Sequence, residues 1–138
     1  MRKHVVLRVI TKLFFPLILL FALYVQFHGE YGPGGGFQAG VIFATGFILY
    51  AMVFDLEQAQ RVMSPGLLRL LMSTGVLLYV ATGFESLLLG GHFLEYRVLA
   101  DEPLHGQHLG ILLIELGVGI TVAAVLIMIY YAFAGRQR

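Results

Sequence analysis

The chain has 138 residues and no cysteine, so disulfide staples and thiolate metal sites are excluded. Charge is nearly as scarce. Asp, Glu, Lys and Arg make up 12% of the residues, about half of the roughly 25% found in soluble domains. The formal net charge of +1 is too small for an electrostatic grip on nucleic acid, and the basic residues are not gathered into one run. Neither a nucleophilic triad nor a redox-cofactor motif is present. What fills the chain is apolar: 59% of residues are hydrophobic and the mean hydropathy is +0.85. So short a soluble protein could not hide that much apolar surface.

The apolar residues form runs whose lengths can be compared with a bilayer. Crossing about 30 Å of hydrocarbon takes roughly 20 such residues in a helix. Four segments qualify, at about 5–27, 36–54, 67–89 and 107–133. The expected fold is therefore an all-α, polytopic membrane protein with four transmembrane helices. The first span is charge-free only from Leu13, which leaves Arg8 and Lys12 to snorkel toward the headgroups, and Pro16 is a candidate bend. No small-residue cleavage pattern follows this span, so it reads as a span and not as a cleaved leader. Pro33 and the glycines after it put the start of the second helix at Gly36 or Phe37. Ser64 is a candidate cap for the third, with Pro65 in its first turn. A soluble bundle is disfavoured because these segments lack a polar face. With the amino terminus inside, Arg2, Lys3, Arg8, Lys12, Arg61, Arg69, Arg136 and Arg138 are cytoplasmic and only Arg97 is external. The positive-inside rule then puts both termini in the cytoplasm.

Several residues stand out against this apolar background. Pro33, Gly34, Gly35, Gly36 and Phe37 form a sharp element at the mouth of the second span. Consecutive glycines imply positive φ angles or a close backbone approach, which fits either a structural turn or a place on an ion pathway. Gly36, Gly40 and Ala44 recur every four residues as a smooth stripe for helix packing, and Gly110, Gly117 and Ala124 do the same on the fourth span. Glu85 and Glu115 interrupt the third and fourth spans. At 1.5 Å per residue they lie about 7 and about 12 Å inside the same side of the membrane. A charged group facing lipid is costly, so each is expected to face protein, a wet cavity or a cation. Ion passage, structural hydrogen bonding and a protonated spectator all remain open for Glu115. His105 and His108, three residues apart, with His92 in the preceding loop, suit interface hydrogen bonding or proton relay. A metal cluster is geometrically conceivable, but no strict zinc signature supports it and no metal site is firmly predicted. His28 and Glu30 are loop residues able to assist cation capture.

The stretch His28-Gly29-Glu30-Tyr31-Gly32-Pro33-Gly34-Gly35-Gly36-Phe37-Gln38-Ala39-Gly40 closely resembles the signature of the B subunit of multisubunit Mrp/Mnh-type sodium/proton antiporters, the MnhB/MrpB family. A second match covers His105-Gly106-Gln107-His108-Leu109-Gly110 and Ile114-Glu115-Leu116-Gly117-Val118-Gly119. The resemblance extends over nearly the whole chain. It implies one membrane domain that acts as an accessory subunit, not an enzyme, in a hetero-oligomer of the bacterial inner membrane. That assembly exchanges Na+ or another monovalent cation for H+. No cofactor is implied, and the partners are the other subunits and the lipid bilayer. The family's glycine element carries over to Pro33, Gly34, Gly35, Gly36 and Phe37, and its fourth-helix acidic position to Glu115. The alternative is a structural membrane subunit of a related hydrogenase or complex-I-like assembly.

The topology is open to direct test, because the chain has no native cysteine to remove. Single cysteines introduced near positions 2 and 137 should resist an impermeant maleimide in sealed right-side-out cells and react after permeabilisation. Labelling of either from outside would reject the cytoplasmic termini.

Overall fold

The computed structural model describes residues 4–136. Arg2, Lys3 and Arg138, which enter the charge argument, lie outside them. The elements are α1 (Val5–His28), α2 (Gly36–Phe54), α3 (Leu56–Val62), α4 (Pro65–Leu88), a single 3-10 turn (Tyr96–Leu99) and α5 (Pro103–Gly135). Among the described residues, α1, α2, α4 and α5 are long and apolar enough to cross a membrane.

Local chemistry explains most boundaries. Gly35 has φ 134°, open to glycine and not to residues with a Cβ, and α2 begins immediately after it. Ser64 caps α4, its hydroxyl accepting the Leu67 N–H at 3.1 Å, and Pro65 occupies the first turn, where no N–H is missed. α1 runs unbroken through Pro16, a substitution that spanning helices tolerate when neighbours re-satisfy the freed carbonyl. α5 begins at Pro103, earlier than position 107, because a proline at a helix start costs no hydrogen bond. α3 was not anticipated. Its seven residues are too few for periodicity to register, and Asp55 at φ 87° turns the chain sharply into it.

α5 is the central helix, packed along α2 on one side and α4 on the other, while α1 packs mainly on α2. Lipid is as apolar as leucine, so close dispersion contact must hold these helices together. Glycine makes that contact possible. A Cβ on Gly36 would overlap the Glu115 carbonyl oxygen, and one on Gly40 would stand 2.7 Å from the Gly119 carbonyl oxygen. On the opposite side of α5, a Cβ on Gly75 would meet the Gly117 carbonyl oxygen at 2.7 Å and overlap the Thr121 hydroxyl. The expected Gly36–Gly40–Ala44 stripe is thus a backbone-to-backbone seam between α2 and α5. Gly83 and Gly110 serve instead as notches for Phe93 and Tyr96 of the α4–α5 connection.

The best-buried side chains gather at the other end of the bundle, where Phe47, Ala51, Ala59, Leu68, Ile127 and Tyr131 form one cluster. Arg8 and Lys12 reach back from α1 to the Phe54 ring, 5.3 and 5.9 Å from its centroid, a cation–π arrangement. Arg61, Arg69 and Arg136 belong to the same end by chain position, and Arg97 to the opposite one.

Gly36→Ala and Gly75→Ala each force a methyl group into a neighbouring helix. Overpacking of this kind costs about 1–3 kcal/mol, so both should lower the thermal midpoint of the purified protein. Gly66→Ala, whose added carbon meets nothing nearer than the Ser64 hydroxyl at 3.9 Å, should leave it unchanged.

Candidate functional site

The seam between α2 and α5 ends at Glu115, and the chain folds around that residue. α1 stops at His28, and the Gly35 N–H donates back to the Val25 carbonyl at 3.2 Å, laying the glycine loop against the last turn of α1. This brings Gly29 and Gly35 onto the Glu115 side chain. A Cβ on Gly29 would stand 2.9 Å from both carboxylate oxygens, and one on Gly35 would stand 3.1 Å from Oε1. Gly29 and Gly35 thus cradle the carboxylate, while Gly36 lies against the Glu115 backbone. Side chains at these positions would occupy its space. Gly34 supports the loop from behind, where a Cβ would meet the Val25 carbonyl oxygen at 2.9 Å. Pro33 and Phe37 are exposed and do not touch the carboxylate, while Gly40 contributes to the seam one turn away.

The carboxylate faces a cavity of about 300 Å3. Gln26, Glu30, His105 and His108 share its lining with Glu115, and Phe27, Leu109 and Leu112 complete the wall. His108 Nδ1 and Glu30 Oε2 are 2.8 Å apart, a hydrogen bond that becomes an ion pair when the imidazole is protonated. Although Glu30 sits on an exposed turn, its side chain is only 19% exposed. Its charge lies near enough to repel that of Glu115. His105 is exposed and 3.4 Å from the Glu102 carboxylate, at the rim. Gln26 is buried, at 5% exposure, and its amide nitrogen has no hydrogen-bond partner. It lines both this cavity and a second, almost wholly apolar groove of about 230 Å3 that runs over Gly40, Gly119 and Ala123.

Of the residues singled out from the sequence, Glu115, His105 and His108 come together here. Glu85 does not. It lies on an exposed face of α4, with no ion pair or side-chain hydrogen bond among the described residues. His92 also stays apart, its backbone N–H donating to the Glu95 carboxylate at 2.8 Å. Among the described residues no group of three or more His, Asp or Glu is placed to hold a metal ion. Tyr96 borders the region over Gly110. Burial, with Tyr79 adding to it, raises its phenol above the ordinary tyrosine range, so it stays neutral near pH 7.

A family model described as a domain related to the MnhB subunit of Na+/H+ antiporter matches residues 6–128. The chain belongs to the MnhB family. Relatives named as antiporter subunit mnhB2 in Staphylococcus aureus strains Newman and COL are each 37% identical to it, over 98% of this chain and 97% of their own length. The match runs from α1 into α5, so in this MnhB-family chain the glycine cradle lies within the domain.

Sequence reasoning passed over Gln26 and named Glu30, with His28, as a loop residue able to assist cation capture. Their spacing held the clue. Residues four apart share a helical face, and Gln26 is a polar residue near the end of an otherwise apolar run, one turn before Glu30.

Proposed function

We propose that this chain is a membrane subunit of a multisubunit monovalent-cation/proton antiporter and that the Glu115 carboxylate takes part in ion passage. The observation that carries this reading is the cradle: a carboxylate within an apolar helix, packed against Gly29 and Gly35 and opening on a cavity that also holds Glu30 and His108. An ionised group at membrane depth is costly unless it faces water, a cation or a partner, and here it faces a cavity within its own chain that Gln26, Glu30 and His108 also line. A purely structural carboxylate would be expected to end in a hydrogen bond to protein, and no such bond to Glu115 occurs among the described residues. The chain sits in the bacterial inner membrane with both termini cytoplasmic. Arg8, Lys12, Arg61, Arg69 and Arg136 at one end of the bundle support that orientation, and the cavity then opens on the external side. The protein acts with other subunits, which cover its exposed apolar helix faces, such as Val6 at 72% and Leu13 at 63% exposure on α1. It performs no catalysis of its own. The transported ions are substrates, Na+ or another monovalent cation against H+.

Glu115→Gln keeps the shape and much of the hydrogen-bonding capacity but cannot carry negative charge. Antiport in inverted vesicles, normalised to intact complex, should fall at least tenfold or show a displaced pH profile. Glu115→Asp, one methylene shorter, should retain partial exchange. Normal exchange by Glu115→Gln across the pH series would assign Glu115 to packing alone.

A further inference from the structure

The cavity beside Glu115 contains more polar chemistry than a single carboxylate needs. Two acidic side chains, Glu30 and Glu115, face one space of about 300 Å3 and repel each other. His108 supplies a partner to Glu30 alone, at 2.8 Å. Against the same cavity lies Gln26, 5% exposed, with an amide nitrogen that bonds to nothing. A buried polar group left unsatisfied costs about 1–3 kcal/mol. An acceptor from outside the chain, entering the cavity, would complete it.

We infer that Gln26, Glu30 and Glu115 form a binding site for one partly hydrated monovalent metal cation. This deepens the reading given above for Glu115 and rests on it. The donors are hard oxygens, the two carboxylates, which suit an alkali cation; imidazole and thiolate sets suit softer metals. No group of three or more His, Asp or Glu is placed to hold a metal among the described residues, so a tightly held divalent or transition ion has no cage here. The cavity has room for several waters, at roughly 30 Å3 each, so the ion keeps part of its shell. The oxygen of a shell water gives the Gln26 N–H the acceptor it lacks. A half-turn about the terminal side-chain bond would instead present the Gln26 carbonyl to the ion, because the two ends of the amide have nearly the same shape. The cation's charge relieves the repulsion between the two carboxylates. His108 acts as a positioning residue, holding Glu30 over the cavity.

Glycine decides the size of the site. Gly29 and Gly35 bring no Cβ against that side of the Glu115 carboxylate, and the neighbouring group beside Gly35 is the Gln38 amide oxygen, an acceptor that cannot donate to it. Gly119 lets Gln26 lie close against α5, where an added Cβ would stand 2.6 Å from the Gln26 amide oxygen. The amide therefore sits at the inner end of the cavity, where it also borders the apolar groove.

The test is equilibrium binding of radioactive Na+ to the purified intact complex, with unlabelled Na+, Li+ and K+ as competitors and choline as control. Glu30→Gln should raise the half-saturating Na+ concentration at least tenfold, and Gln26→Leu severalfold, with subunit composition unchanged. Glu30→Asp should fall between Glu30→Gln and the native complex. Native isotherms for both Glu30→Gln and Gln26→Leu would overturn the site, even if Glu115→Gln abolishes exchange. Normal exchange by Glu115→Gln would instead remove the reading of Glu115 on which the site rests. Should Glu30→Gln fail to assemble, Gln26→Leu and the milder Gln26→Asn decide, and an unchanged isotherm in both counts against the site. Loss of bound Na+ in proportion to loss of complex assigns these residues to assembly and equally overturns it.

Discussion

The approach of α2 to α5 at Gly36 constrains everything near it. Two helices in a bilayer gain nothing from leaving water, so their association depends on how close their backbones come. Here the first residue of α2 lies against the backbone of Glu115, so close that no Cβ fits between them. That contact fixes where the glycine loop must return from α1, since Gly35 precedes it and bonds back to Val25. It also fixes which face of α5 the loop covers. The carboxylate of Glu115 is enclosed as a consequence of helix packing, and the cavity is the space that this packing leaves open.

Packing and charge are thus coupled through one short stretch of chain. Gly36, which lets α2 reach α5, directly follows Gly35, which lies against the Glu115 carboxylate, so a substitution at Gly35 meant to probe the carboxylate's surroundings also acts on the start of the helix seam. Gly29 offers a partial separation. A Cβ there would meet the carboxylate oxygens and the Gly35 backbone, with the Glu115 backbone not among its nearest neighbours. Glu115→Gln separates the two completely, because it leaves every glycine in place.

Much of this was legible in the sequence. Length and hydropathy gave four spans, and the start of α2 at Gly36 followed from Pro33 and the glycines, because helix starts obey local backbone rules. His105, His108 and Glu115 were each singled out, but their shared face on α5 became visible only once the helix was seen to begin at Pro103. What stayed hidden depended on pairing between distant segments. Nothing in a single chain of letters tells that Glu30 meets His108, 78 positions away, or that Gly29 faces Glu115. Glu85 shows the converse. Its position in an apolar run looked equivalent to that of Glu115, yet helical phase turns it away from the other helices of this chain. α3 escaped because one irregular residue, Asp55, sets its direction.

The α4–α5 connection carries a mechanical consequence. Phe93 is seated on Gly83 of α4 and Tyr96 on Gly110 of α5, so two rings three residues apart in one short loop are pinned to different helices. Sliding α4 along α5 by a single residue, about 1.5 Å, would pull at least one ring out of its socket. Small axial slips are therefore resisted as if the helices were keyed together, while a rocking motion about the loop as fulcrum leaves both rings seated. Motion between α4 and α5 is steered toward tilt and away from translation.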